Sequence, residues 1–445
     1  MTPYGFSIEW EKINNYSKGM SNAWELDQVL NLAASENIFI AFTFDFHDQF
    51  MSDKKLGWNH SRTGWDDNPY HSKNQNFDTT IKTSLDFFKN TNAIKYYKHK
   101  VRYIIARWGY STHILYWEIL TEIDNALTDH DYNNNTLTRK IFKNWFRIIT
   151  GYIKNDLQDP HPVAGSFSVG ETDDIPSGIF DIADISLIHK YGESKTDNYY
   201  PRSEKVEKLH KHSLTKNKPV LFDEIGGPPA LDFCTDIEFH TNIWATSFTG
   251  SFGCGWNWWW DNAIFPNGYE INFKSLAAFF QNEQLSKESY SPQKYKNARS
   301  FKKSEVESFF LVNGSKTKVL GWLHNISYHW YNLQNNTCID SLLINNSGKH
   351  FDKGDTKEYK IIAEKNSAEG HFTEYAGMEI KIYGLNKRSN YSLEWFSTTE
   401  KGGSTEITET IRTNGRGIAV IKVPEKLSEY GDAAFKIKQL PRVNF

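Results

Sequence analysis

From Trp24 to about Phe279, apolar runs of strand length alternate with segments whose apolar residues recur at helical spacing, the rhythm of βα units around a parallel sheet. Six runs predict strands: NIFIAFTF at 37–44, ILYWEIL at 114–120, PVAGSFS at 162–168, ISLIHKY at 185–191, PVLFDEI at 219–225 and FGCGWNWWW at 252–260. Each follows a segment of helical period. SLDFFKNTNAIKYYKHKVRYIIARWG, for instance, predicts a helix from Leu85 to Trp108 that ends at Gly109. Beyond roughly Ser300 the texture changes to short β-rich runs such as VESFFLV, KVLGWLH, CIDSLLI, GMEIKIYG, YSLEWFS, ITETIRT, GIAVIKV and AAFKIKQL, separated by Gly, Asn and Ser turns. These predict an antiparallel sandwich. The polar, basic stretch QLSKESYSPQKYKNARSFKKSE reads as the linker, so the expectation is an α/β domain over 1–299 and an all-β domain over 300–445.

A chain of 445 residues exceeds what one hydrophobic core usually sustains, which agrees with two domains. Lys plus Arg at 51 against Asp plus Glu at 54 gives a net charge of −3, no general field for nucleic acid or an anionic membrane, and no apolar run is long enough to span a bilayer. The 15 Trp, 23 Tyr and 30 Phe exceed the needs of core packing and point to flat, partly apolar ligands. An AT-rich genome is the competing source of the Phe and Tyr, though not of the Trp. Cys234, Cys254 and Cys338 fit neither a disulfide framework nor a zinc site.

Two carboxylates stand at the ends of predicted strands, Glu122 after ILYWEIL and Glu224 in PVLFDEI. A carboxylate ending an apolar strand is costly to bury unless paired or used, and two that converge push their pKa values apart, one protonated and one ionised. Their separation corresponds to about three βα units, which sets the strands across a small barrel from one another. The alternative is structural: Glu122 and Asp124 capping the next helix, with Asp223 or Glu224 in a salt bridge.

The flanking residues carry a resemblance. WEILTEID at 117–124 resembles the strand-four segment of clan A glycoside hydrolases, and KPVLFDEIG at 218–226 resembles their strand-seven nucleophile segment. ISLIHKYG at 185–192 is similar to the strand-six segment, WNWWWDN at 256–262 to the Trp-bearing end of strand eight, and WDDNPYHSKN and VRYIIARWGYSTHILYWEI to a cellulase-like subgroup. The resemblance runs over about Met1 to Phe280. It implies a (β/α)8 TIM barrel, a retaining mechanism with Glu122 as acid/base and Glu224 as nucleophile, a carbohydrate substrate, and no metal or organic cofactor. By matching position, Tyr191 would hydrogen-bond Glu224, His189 would bind a sugar hydroxyl or orient a carboxylate, and Trp258 would be the platform under the sugar. Trp260 is expected to point the same way by strand alternation, while Trp256 and Trp259 are expected in the core. His47, Trp65, Asn68 and Tyr70 are weaker candidates for substrate contact, with loop scaffolding as their other role.

Two departures from the clan pattern stand out. The Asn that normally precedes the acid/base is replaced by Thr121, which offers fewer bonds to a sugar 2-hydroxyl. TPYGFSIEW at 2–10 resembles the end of strand two, so the expectation is a barrel lacking its first βα unit and a parental protein that is longer and exported; a substitute strand formed by the N-terminal residues is the opposing reading. GMEIKIYGLNKRSNYSLEWFSTTEKGG at 377–403 resembles the β-sandwich appended to many glycosidases, whose favoured role here is packing against the barrel; were it to bind carbohydrate, Trp322, Trp330 and Tyr331 are its candidates for exposed aromatics.

Overall fold

A computed structural model describes residues 8–9, 12–51, 64–168, 178–191, 218–226, 235–261, 263–293, 306–325, 377–399, 403–423 and 432–441. The chain forms two compact units, Met1–His189 with Lys216–Pro219 and Lys190–Thr215 with Val220–Phe445.

The first unit is built on a parallel sheet. Strands β1 (Ile40–Thr43), β2 (Ile114–Glu118), β3 (Val163–Gly165) and β4 (Ile185–Tyr191) lie side by side in sequence order, and Ser186 N–H donates to Pro219 O at the head of the fifth apolar run. Parallel pairing demands crossovers, and the helices supply them. Helix α1 (Met20–Ser35) buries Ala23, Leu26, Leu30 and Ala33, one stripe at helical period. The predicted helix 85–108 is two helices, α2 (Ser84–Lys89) and α3 (Thr91–Trp108). The break falls at Asn90, which takes an extended backbone so that its side chain can accept from the N–H groups of Asn92 and Ala93. Gly109 ends α3 at φ −63°, outside the left-handed region; its use is space, because a Cβ there would sit 2.6 Å from Ile105 O. A bidentate ion pair from Arg107 to Asp27, joined by Trp108 Nε1–H, ties α3 to α1. Helices α4 (Ile123–Ala126) and α5 (Thr136–Gly151) follow β2, and Phe87, Phe88, Tyr97, Phe142 and Trp145 form an aromatic core between α2, α3 and α5.

The second unit opens with β5 (Val220–Gly226) and helix α6 (Thr235–Ser247). The run 252–260, expected as a strand, pairs with β5 through Phe252 N–H to Val220 O, Trp256 N–H to Phe222 O and Ile225 N–H to Trp256 O, then turns at Trp258–Trp260 into a 3₁₀ helix. The short helix α7 (Ile264–Asn267) and α8 (Asn272–Phe280) complete the helical layer.

A six-stranded antiparallel sheet comes next. With β6 (Ser291–Pro292), β7 (Val306–Val312), β8 (Lys318–Asn325), β9 (Glu379–Ile382), β10 (Asn390–Ser397), β11 (Gly403–Arg412), β12 (Ala419–Lys422) and β13 (Asp432–Gln439), its order is β11-β10-β13-β8-β7-β6, and β12 pairs with β9 separately. Strand alternation feeds two cores. Phe310, Val319, Leu323, Leu393 and Phe435 face Ile380 and Ile421 of the small sheet. Phe309, Leu311, Leu320, Trp322 and Ala434 face Phe239, Ile243, Trp244 and Phe279 of the helices. Gly321 exists to admit the Phe435 ring, which a Cβ would strike at 2.1 Å.

This second core corrects one expectation. Trp322, a candidate for an exposed sugar contact, is fully buried and donates from Nε1 to Asp432 Oδ2 at 2.7 Å, while Trp330 and Tyr331 lie outside the described residues. Asp432 also accepts from Thr398 Oγ1 and lies 2.8 Å from His240 Nε2 on α6, so one fully buried carboxylate joins the sheet to the helical layer. Asp432→Ala takes one buried partner from each of these groups, and is expected to lower the unfolding free energy by about 3–5 kcal/mol, read by urea denaturation followed through tryptophan fluorescence.

Candidate active site

Parallel strands bring their carboxyl ends to one rim. In the first unit the ladder continues past the formal strand ends: Thr121 N–H donates to Asp45 O, Phe46 bridges to Thr121, and Ile123 N–H donates to Ser166 O. That register lines up His47 after β1, Thr121 and Glu122 after β2 and Ser166 after β3, with His189 near the end of β4.

Glu122 sits at the turn between β2 and α4 with a left-handed backbone, φ 48° and ψ 60°, which few non-glycine residues adopt and which concentrates at functional sites. Its side chain does not cap α4. The carboxylate, in a residue only 8% exposed, instead turns to the rim. Oε1 lies 2.9 Å from His189 Nδ1, and Oε2 accepts from Asn125 Nδ2 at 2.8 Å and lies 3.2 Å from His47 Nδ1. His47 in turn places Nε2 2.9 Å from Asp48 Oδ1. Burial pushes the Glu122 carboxyl up, but the hydrogen bond from His189, the charges of His189 and His47, and the Asn125 amide together outweigh it and hold the group well below the usual carboxylate range. Asp124, two residues on, is moved the other way: burial dominates over two bonds from Ser168 and raises it.

Beneath this rim lies a second buried charged group. Asp45 Oδ1 meets Lys100 Nζ at 2.6 Å and Oδ2 accepts from Tyr97 OH at 2.7 Å, so both carboxylate oxygens of this desolvated pair are bonded.

The structure therefore brings His47, Thr121, Glu122 and His189 together. Trp65 and Asn68 are buried in the loop that follows, with Trp65 Nε1 donating to Lys82 O and Asn68 donating to Gln49 O and accepting from Tyr70 N–H. Tyr70 OH donates to the buried Glu9. These polar atoms are spent on the protein's own chain, as scaffolding requires. In the second unit Glu224 is half-buried on β5 beside Asp223, and successive strand residues point to opposite faces. Trp258 is half-buried and Trp260 is 53% exposed, but both belong to a 3₁₀ turn, so the alternation expected to align them does not apply. Trp256 is exposed rather than in the core. The side chains of Tyr191 and Trp259 lie outside the described residues. Asn125, Asp48 and Ser166 were not anticipated. Asn125 was within reach of inspection, three residues after Glu122 at helical spacing; Ser166 carried only its place at a strand end.

No family model matches the chain, and no curated protein matches it. Among solved structures, a glycoside hydrolase is similar over 98% of this chain and 80% of its own, at 13% identity and a TM-score of 0.47. An endo-β-1,4-mannanase from Thermotoga petrophila is similar over 90% of this chain and 75% of its own, at 13% identity and a TM-score of 0.41. A Paenibacillus polymyxa xyloglucanase of glycoside hydrolase family 44 is similar over 77% and 70%, at 8% identity and a TM-score of 0.38. Among the described residues no helix is long and apolar enough to cross a membrane.

A carboxyl held below its ordinary value of 4.5 stabilises the fold at neutral pH, and that contribution fades as the pH falls below 4.5 toward the folded-state value. Glu122→Gln is thus expected to be less stable than wild type at pH 7 and to converge on it only as the pH falls through about 2, as measured by urea midpoints across that range.

Proposed function

We propose that the chain is a retaining β-glycoside hydrolase acting on a polysaccharide or its oligosaccharides, with Glu122 as acid/base and Glu224 as nucleophile. The observation that carries the reading is Glu122 itself: a buried carboxylate at the carboxyl end of a parallel strand, in a left-handed turn, gripped by two imidazoles and free of any capping duty. WEILTEID and KPVLFDEIG supply the assignment of roles, and the division into a catalytic domain over 1–299 and an accessory sandwich over 300–445 belongs to the same proposal.

In the first step Glu224 attacks the anomeric carbon while a proton passes from Glu122 to the departing oxygen, giving a glycosyl ester on Glu224 and a free alcohol. Water then attacks that ester and gives its proton to Glu122, which restores both carboxyls. Because Glu122 rests ionised, its proton in the first step must cross its hydrogen bond with the His189 imidazole. The mechanism requires the two carboxyl groups at ~5–5.5 Å. By the same resemblance Tyr191 holds Glu224 and Trp258 lies under the sugar, and the sugar contact next to Glu122 falls to Thr121.

A second reading, a carbohydrate-binding homologue with impaired catalysis, is favoured by Thr121 in place of Asn and by the low-lying Glu122 carboxyl, since a general acid works best with a pKa near the operating pH. A panel of aryl β-glucosides, mannosides and xylosides with glucan, mannan and xylan oligosaccharides decides between them. The expected result is turnover abolished by Glu224→Ala, lowered roughly 10²–10⁴-fold by Glu122→Ala, and yielding a β-anomer by NMR. Binding without turnover supports the second reading, and an inverted product overturns the retaining mechanism.

A further inference from the structure

We propose that Ser166 and Glu118 are positioning residues for Glu122, and that they also set which way the Thr121 hydroxyl points; the inference rests on the acid/base reading of Glu122. Ser166 is fully buried, just past β3. Its Oγ–H donates to Glu118 Oε1 at 2.7 Å. The same oxygen accepts from Glu122 N–H at 3.0 Å and lies 3.1 Å from Thr121 Oγ1. Glu118, also buried, receives Thr43 Oγ1–H on its other oxygen at 2.7 Å.

A serine hydroxyl has one proton and two lone pairs. With the proton given to the Glu118 carboxylate, both lone pairs of Ser166 remain as acceptors, one for the Glu122 N–H and one for the Thr121 hydroxyl. Two consequences follow. The N–H of Glu122, which its left-handed backbone aims at Ser166, is satisfied by a side chain and not by a strand carbonyl; removing that acceptor strands a buried N–H and frees the turn to relax toward ordinary φ, carrying the carboxylate away from His189 and His47. Thr121, its proton committed inward, presents only lone pairs elsewhere. It accepts from a sugar hydroxyl, whereas the Asn of the clan pattern offers a donor as well.

The test is Ser166→Ala, with Glu118→Gln as the second variant should the first fail to fold. The first readout is the downfield imidazole proton of His189 in ¹⁵N-histidine-labelled protein, assigned with His189→Gln. Loss or displacement of this signal in a variant that keeps the wild-type circular dichroism supports the proposal, and an unchanged signal overturns it, whether or not the chain is an enzyme. The second readout uses 4-nitrophenyl and 2,4-dinitrophenyl β-glycosides of the sugar that wild type cleaves. A displaced acid costs the poorer leaving group more, so kcat/KM, which reports the first step alone, is expected to fall roughly 10–100-fold for 4-nitrophenyl and little for 2,4-dinitrophenyl. An equal loss on both substrates assigns Ser166 a merely structural role and overturns the proposal. Absence of wild-type turnover on every glycoside counts against the hydrolase reading alone, while the NMR result still decides the positioning.

Discussion

Everything at the rim of the parallel sheet depends on keeping one desolvated carboxylate charged. Removing Glu122 from water disfavours its ionised form, and only close positive or proton-donating partners reverse that. Two of those partners come from segments distant in sequence, His47 after β1 and His189 in β4, and the third, Asn125, lies one helical turn on in α4. The register of the sheet and the conformation of the β2–α4 turn are both constrained by the requirement that these groups meet at one point. The left-handed backbone at Glu122 is tolerated because the surrounding bonds hold it there.

The same logic recurs in the second unit, with a different outcome. Asp432 is as deeply buried as any described residue, yet its partners are Trp322, Thr398 and His240, all packed among apolar side chains between the sheet and α6. Its bonds are spent inward. A buried carboxylate by itself is therefore not a sign of chemistry. What distinguishes Glu122 is its place at a strand end and its strained backbone.

Legibility followed physical range. The strand runs at 114–120, 185–191 and 219–225 were plain because strands buried on both faces are continuous apolar words, and the near-continuous apolar runs in VESFFLV and KVLGWLH announced strands with two buried faces in the same way. The break at Asn90 was missed because apolar spacing runs through it, while the deciding interaction is a side-chain cap on two N–H groups. The turn at Trp258–Trp260 was missed for a related reason: three tryptophans look like strand, and period alone does not separate a β run from a tight turn.

By itself the sequence determined which segments extend, which coil, and that Glu122 and Glu224 end apolar runs, since these follow from local propensity and from the cost of burying charge. Only the tertiary structure decided what each polar group is for. It sent Trp322 into a core and committed Trp65 and Asn68 to their own loop. It also gathered His47, His189 and Asn125 around Glu122, with Ser166 beneath its backbone. Hydrogen bonds act over about 3 Å, and residues tens of positions apart come within that range only once the strands are in register.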